Sequence, residues 1–256
     1  MSLLSLRNLS RSLIILALAA PVWAQNPAFD AEAQNGGGTE LTWTHTPVGT
    51  PDCAYVAVLE AFNGTDTIGS ASYGTDSMTR ILFVGLTVGE PAGLYIYGLN
   101  NVTDDGGAVT VTLTEQQSEN RRAASYTLTS STDACLVEGT NSETGVTEDP
   151  ALTVSTGAGV ETWGLCAIVS GHNQLSLITV DAAFTEHVSN DPGAEVRKTS
   201  RITSNDAGGG WTHTWDGDGM QPDEDYVVAC IAVKEDGGGG GGGPPVGGKT
   251  LAGAGL

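Results

Sequence analysis

The chain of 256 residues contains 36 glycines and only 10 lysines and arginines against 30 aspartates and glutamates, a formal net charge of −20. Such a surface repels nucleic acid and anionic membrane, so neither is expected as a partner. The residues that favour exposed helix are scarce while Gly, Thr, Val and Ser recur, which selects strands and turns over long helices.

In chain order, Arg7 and Arg11 lead into an apolar run from Leu13 to Ala20, and Val22-Trp23-Ala24 precedes Gln25. This is the pattern of an export signal cleaved after Ala24. Residues 1–24 are therefore expected to be removed, leaving a secreted, extracellular or cell-surface protein. The run falls short of the roughly 20 apolar residues that cross a bilayer, and no transmembrane segment is expected after signal removal. Losing the two arginines takes the net charge from −20 to −22. Residues 25–38 are polar and glycine-rich, which predicts a flexible lead-in.

From residue 39 onward short strand patterns follow one another. Leu41, Trp43 and His45 alternate with Thr, Ala54 to Phe62 is an apolar run, Ile81 to Val84 and Leu94 to Leu99 follow, and Val109 to Leu113 alternates. Asn63-Gly64, Tyr73-Gly74-Thr75-Asp76 and Asp104-Asp105-Gly106-Gly107 supply turns between them. The second half continues with Ala123 to Thr129, Leu152 to Ser155, Thr162 to Val169, Val196 to Ile202, Trp211 to Trp215 and Tyr226 to Val233. Many short strands, each with one face to bury, predict an all-β, two-layer antiparallel β-sandwich over residues 39–235. Residues 236–256 read as a glycine-rich tether and a short C-terminal tail. Within that tail Gly243 to Thr250 matches the spacing of a phosphate-binding loop. Only six residues follow it, too few for the helix such a loop requires.

Four cysteines follow the signal: Cys53, Cys135, Cys166 and Cys230. Their even number in an exported chain predicts disulfides, and none has the close spacing of a zinc site. Pairing of Cys53 with Cys135 and of Cys166 with Cys230 is expected; the alternative leaves the two strand cysteines, Cys166 and Cys230, as buried thiols.

Leu41-Thr-Trp-Thr-His-Thr, Tyr55-Val-Ala-Val-Leu-Glu and Ser72-Tyr-Gly-Thr-Asp-Ser-Met-Thr resemble the opening of jelly-roll modules of the concanavalin A-like lectin type. Such modules occur in secreted bacterial and phage-associated surface or structural proteins. Tyr95-Ile-Tyr-Gly-Leu, Ala123-Ala-Ser-Tyr and the closing Tyr226 to Glu235 keep the same order. The resemblance implies a single jelly roll in a surface, adhesive or virion-type protein, and it carries no catalytic residues.

No Gly-x-Ser-x-Gly elbow or paired-carboxylate motif of a glycosidase is present, and no catalytic residue is assigned. Clustered acids suggest calcium, whose hard oxygen ligands they supply: first Asp216, Asp218, Asp223 and Asp225, then Asp104 and Asp105. The alternative is solvated turn acids. Trp43-Thr-His45-Thr46 is echoed by Trp211-Thr-His213-Thr214-Trp215. Trp211, His213 and Trp215 on one exposed face would form a platform for a sugar ring; otherwise they fill the core. The expectation is a non-catalytic structural or adhesive module that self-associates in an extracellular or virion-type assembly. A glycan-binding, calcium-assisted lectin-like module is the alternative, and a secreted hydrolase the third reading.

Overall fold

The computed structural model describes residues 27–34, 41–89, 91–103, 107–115, 121–132, 134–146, 149–157, 160–170, 179–180, 182–188, 197–204, 209–216 and 225–236. The first half of the chain forms β1 (Ala28–Gln34), β2 (Thr42–His45), β3 (Cys53–Ala61), β4 (Ile68–Tyr73), β5 (Asp76–Leu86), β6 (Ala92–Leu99), β7 (Val109–Glu115) and β8 (Arg121–Thr129). The second forms β9 (Cys135–Val146), β10 (Ala151–Ser155), β11 (Thr162–Val169), β12 (Thr179–Val180), β13 (Thr185–Val188), β14 (Arg197–Ser204), β15 (Gly210–Asp216) and β16 (Asp225–Glu235). The protein is all-β, and every pairing among the described strands is antiparallel. No helix among the described residues is long and apolar enough to cross a membrane.

The strand order contains a duplication that the sequence does not display. The first eight strands pair as β1-β8-β3-β6-β5-β4-β7-β2, with the long β5 shared between a five-stranded and a three-stranded region. Adding eight to each strand number yields β9-β16-β11-β14-β13 and β12-β15-β10, which are the two remaining sheets. Each half is thus an eight-stranded antiparallel unit with strands 1, 8, 3 and 6 in one layer and 2, 7 and 4 in the other, an order consistent with a jelly roll. The single sandwich expected over residues 39–235 is corrected to two tandem units, residues 28–129 and 135–235. The lead-in expected over residues 25–38 is corrected as well, because β1 lies within it and pairs with β8 from Ala28↔Thr129 to Gln34↔Ala124.

Three cores follow from strand periodicity. On β3 the even positions Ala54, Val56 and Val58 enter the interior of the first unit, while Cys53, Tyr55, Ala57, Leu59 and Ala61 face the second unit. On β11 the same alternation sends Cys166 and Ile168 into the second unit, and Trp163, Leu165, Ala167 and Val169 toward the first. Both faces of these strands are covered, so they read as continuous apolar runs rather than as half-buried alternation. Trp163 is the centre of the shared layer, with its ring 6.0 Å from that of Tyr55 and 6.1 Å from that of Tyr126. Gly98 leaves room there, since a Cβ would press on the Tyr55 ring and on Ile81.

Polar contacts fix the two units in register. The Tyr126 hydroxyl hydrogen-bonds Thr199, and the Arg201 guanidinium stacks 3.8 Å over the Phe29 ring. The connection between units is tied down: the Ser130 N–H donates to Asp52 at 2.5 Å, and the Ser131 N–H and hydroxyl both donate to Glu235 at 2.6 Å. Cys53 and Cys135 form a disulfide from the start of β3 to the start of β9, which binds one unit covalently to the other. Cys166 and Cys230 face each other on β11 and β16, with Cα atoms 4.1 Å apart, and form a disulfide inside the second unit.

Replacing Trp163 with Ala is expected to lower stability by about 3–5 kcal/mol, the usual cost of emptying a large aromatic site. Opening the inter-unit link with Cys53→Ser and Cys135→Ser is expected to cost about 2–5 kcal/mol. Chemical denaturation of the three proteins checks both, and a midpoint equal to that of the parent chain in either variant would contradict the shared-core description.

Candidate functional site

The side chains with chemical potential are concentrated inside the units. Trp211 and Trp215 alternate with Thr212 and Thr214 on β15, which turns both indoles and His213 inward. Trp211 packs over Gly164, where a side chain would collide with its ring, and its Nε1–H donates to Thr162 at 3.3 Å. His213 stacks between Phe184 and Trp215, with ring centroids 3.8 and 4.0 Å away, and its Nε2 lies 2.6 Å from the Ser200 hydroxyl. The expected exposed platform of Trp211, His213 and Trp215 is therefore corrected: the three rings form the core of the second unit, where no sugar ring can reach their faces.

The acidic residues expected to bind calcium are not brought together among the described residues. Asp216 ends β15 opposite Thr179, and Asp225 begins β16 with its carboxylate against Gly89 of the first unit. Asp218, Asp223, Asp104 and Asp105 lie outside the described residues. Among the described residues no three His, Cys, Asp or Glu side chains converge in a way that could hold a metal ion.

Two buried polar clusters occupy opposite ends of the first unit. At one end β2 turns His45 inward against β8, with Nδ1 2.8 Å from the Ser125 hydroxyl and Nε2 3.0 Å from that of Thr127. Trp43 Nε1–H donates to Ser125 at 2.9 Å, and Thr127 donates to Asp30 at 2.9 Å. One arrangement uses each of these donors once: Trp43 to Ser125, Ser125 to His45 Nδ1, His45 Nε2–H to Thr127, and Thr127 to Asp30. The chain of bonds ties β2, β8 and β1 together where the sheet curls toward closure. Burial holds the His45 imidazole at about 4, below its ordinary 6.5, against the opposing pull of Asp30. The ring is a neutral structural link in this setting and has no exposed nucleophile to activate.

At the other end Glu60 on β3 lies directly across from Arg121 on β8. Arg121 is fully buried, pairs closely with Glu115 and reaches Glu60 at 3.8 Å. The Thr67 hydroxyl spans both Glu60 oxygens at 3.0 and 3.3 Å, and the Tyr95 hydroxyl accepts from the Thr67 N–H at 2.8 Å. One guanidinium thus faces two carboxylates away from water. Desolvation dominates and raises the Glu60 carboxyl from 4.5 to about 7, with Thr67 and Arg121 opposing it. Glu60 and Arg121 escaped the sequence reading, although a lone acid inside the apolar run from Ala54 to Phe62 was the visible signal.

No protein-family model, curated protein or solved structure matches this chain.

The two clusters make stability depend on pH in opposite directions. Folding favours neutral His45, so its contribution is complete above pH 6.5 and is lost as pH falls toward 4. Folding also favours protonated Glu60, so its contribution is complete below pH 4.5 and is lost as pH rises through 7. Each interval corresponds to at most about 3 kcal/mol. Melting temperatures of the parent chain are therefore expected to change little from pH 4.5 to 6.5, and Glu60→Gln is expected to uncover the His45 limb, a rise in melting temperature between pH 4 and 6.5. A Glu60→Gln profile as flat as that of the parent chain would remove Glu60 as the opposing group.

Proposed function

We propose that the protein is an exported, non-catalytic structural or adhesive module, displayed on the cell surface or in an extracellular or virion-type assembly. The observation that carries this reading is where the reactive side chains lie. His45, His213, Glu60, Arg121 and the described tryptophans are walled into the folded units and used to hold strands together. The export pattern of residues 1–24 and the two disulfides support an oxidising destination. The high negative charge supports a role as a soluble outward body that avoids nucleic acid and anionic membrane.

The test is to express the full chain with its N-terminal segment in a bacterium and to treat intact cells with protease. The mature chain, beginning at Gln25, is expected outside the cytoplasm with all four cysteines oxidised. A full-length, reduced and protease-protected chain would overturn the reading. A glycan array with and without chelator is expected to show no calcium-dependent binding, and a chelator-sensitive signal would replace this proposal with the lectin-like alternative.

A further inference from the structure

Residues 237–256 lie outside the described residues, but the place where this segment leaves the body is fixed. Glu235 pairs with Cys135 beside the inter-unit disulfide, and the Asp236 N–H donates to the Ala134 carbonyl at 3.0 Å. The segment begins with seven glycines and Pro244-Pro245. It continues as Val246-Gly-Gly-Lys249-Thr-Leu251-Ala-Gly-Ala-Gly-Leu256, in which Lys249 is the only charged side chain.

The opposite end of the body carries an apolar patch that crosses the seam between the units. Ala61 and Leu86 pair with the same residue, Ala92, which sets Phe62 beside the turn that holds Val88. In that turn Gly89 packs on the Asp225 carboxylate of the second unit, and Asp225 pairs with Val146. Phe62, Val88 and Val146 are 48, 76 and 56 % exposed, so three large apolar side chains from both units face water at one end. Phe62 also has a φ of 65°, a left-handed backbone that suits glycine better than an aromatic residue.

Charge and reach select the occupant of this patch. The exposed Asp149 and the Asp225 carboxylate stand at the same end, in a chain of net charge −20, so a second acidic surface would be repelled. Residues 246–256 are apolar or neutral apart from one cation, and they meet that requirement. The patch of the same copy lies a full length of β16 away from Asp236, about 37 Å for eleven residues. The twelve residues from 237 to 248 span at most about 43 Å, so Lys249 would arrive there only with the segment drawn nearly straight. A second copy stacked end to end brings its patch directly beside Asp236. We propose that residues 246–256 of one copy dock on the Phe62, Val88 and Val146 patch of the next, with Lys249 beside Asp149 and Asp225. Donor segment and acceptor patch are different surfaces, so the contact is heterologous and copies add head to tail. The proposal rests on the assembly reading and names the contact that builds it.

The experiment is sedimentation of the purified, oxidised mature chain over a concentration series. The parent chain is expected to grow beyond a dimer as its concentration rises. Phe62→Gly relieves the left-handed backbone, so it is expected to melt no lower than the parent and yet to lose association. Val88→Asp, in the exposed turn, is the second variant of the patch. Leu251→Asp combined with Leu256→Asp is expected to lose association from the donor side. The decisive arm mixes the two kinds of variant: Phe62→Gly keeps its donor segment and the double variant keeps its patch, so the mixture is expected to form a complex of two chains and nothing larger. A parent chain that stays monomeric or stops at a dimer, folded patch variants that associate like the parent, or a mixture that stays monomeric would overturn the assignment. Because sedimentation is measured on purified protein, its failure would leave export and surface display standing, and a failure of display would not alter the sedimentation result.

Discussion

The central constraint is the layer in which the inner sheets of the two units bury one another. Trp163, Tyr55, Tyr126, Leu94 and Ile231 meet there, and β3 and β11 are buried on both faces as a result. An eight-stranded unit of about 100 residues has a thin core of its own, and this second apolar face would lie open if the units separated. The contact is approximately two-fold: β3 packs on its equivalent β11, and the contact of β6 with β11 has a counterpart in β14 with β3. Joining the units in one chain makes their association intramolecular, and the Cys53–Cys135 link adds a second tether at the same end as the short connection.

With the apolar residues committed to three layers, the buried polar groups act as locators. The Trp43, Ser125, His45, Thr127 and Asp30 chain brings β2 against β8 and β1, where the order of the first sheet has its two ends. Glu60, Arg121 and Glu115 do the same at the opposite end of that unit. Buried charge of this kind adds little net stability, since desolvation consumes most of the attraction. Removing one partner is nevertheless costly, so each cluster penalises alternative strand registers more than it rewards the native one.

The sequence disclosed the class of fold, most strands and both disulfide pairs, because apolar runs and turn residues are local signals. Pairing order is not local, and so the tandem arrangement was invisible. The Trp-Thr-His-Thr echo falls on β2 and β15, whereas the structural equivalents are β2 with β10 and β7 with β15. β1 was missed because Ala28–Gln34 is a half-buried edge strand beside a glycine run, and β9 because its exposed residues Thr140 to Thr144 carry no apolar rhythm. The candidate site failed for a related reason. Alternation shows that Trp211, His213 and Trp215 share a face, but only packing reveals that this face turns toward Ser200, Phe184 and Gly164.

The layering also determines how the molecule can meet its surroundings. The inner sheets are consumed by each other, so the two outer layers, β5-β4-β7-β2 and β12-β15-β10, lie on opposite sides of a four-layer body. Both cannot rest on one flat surface. Duplication in this geometry therefore adds no avidity toward a single extended partner, because simultaneous engagement is forbidden. The stacking instead leaves β5-β4-β7-β2 and β12-β15-β10 as the two outward layers, facing away from one another across the shared core.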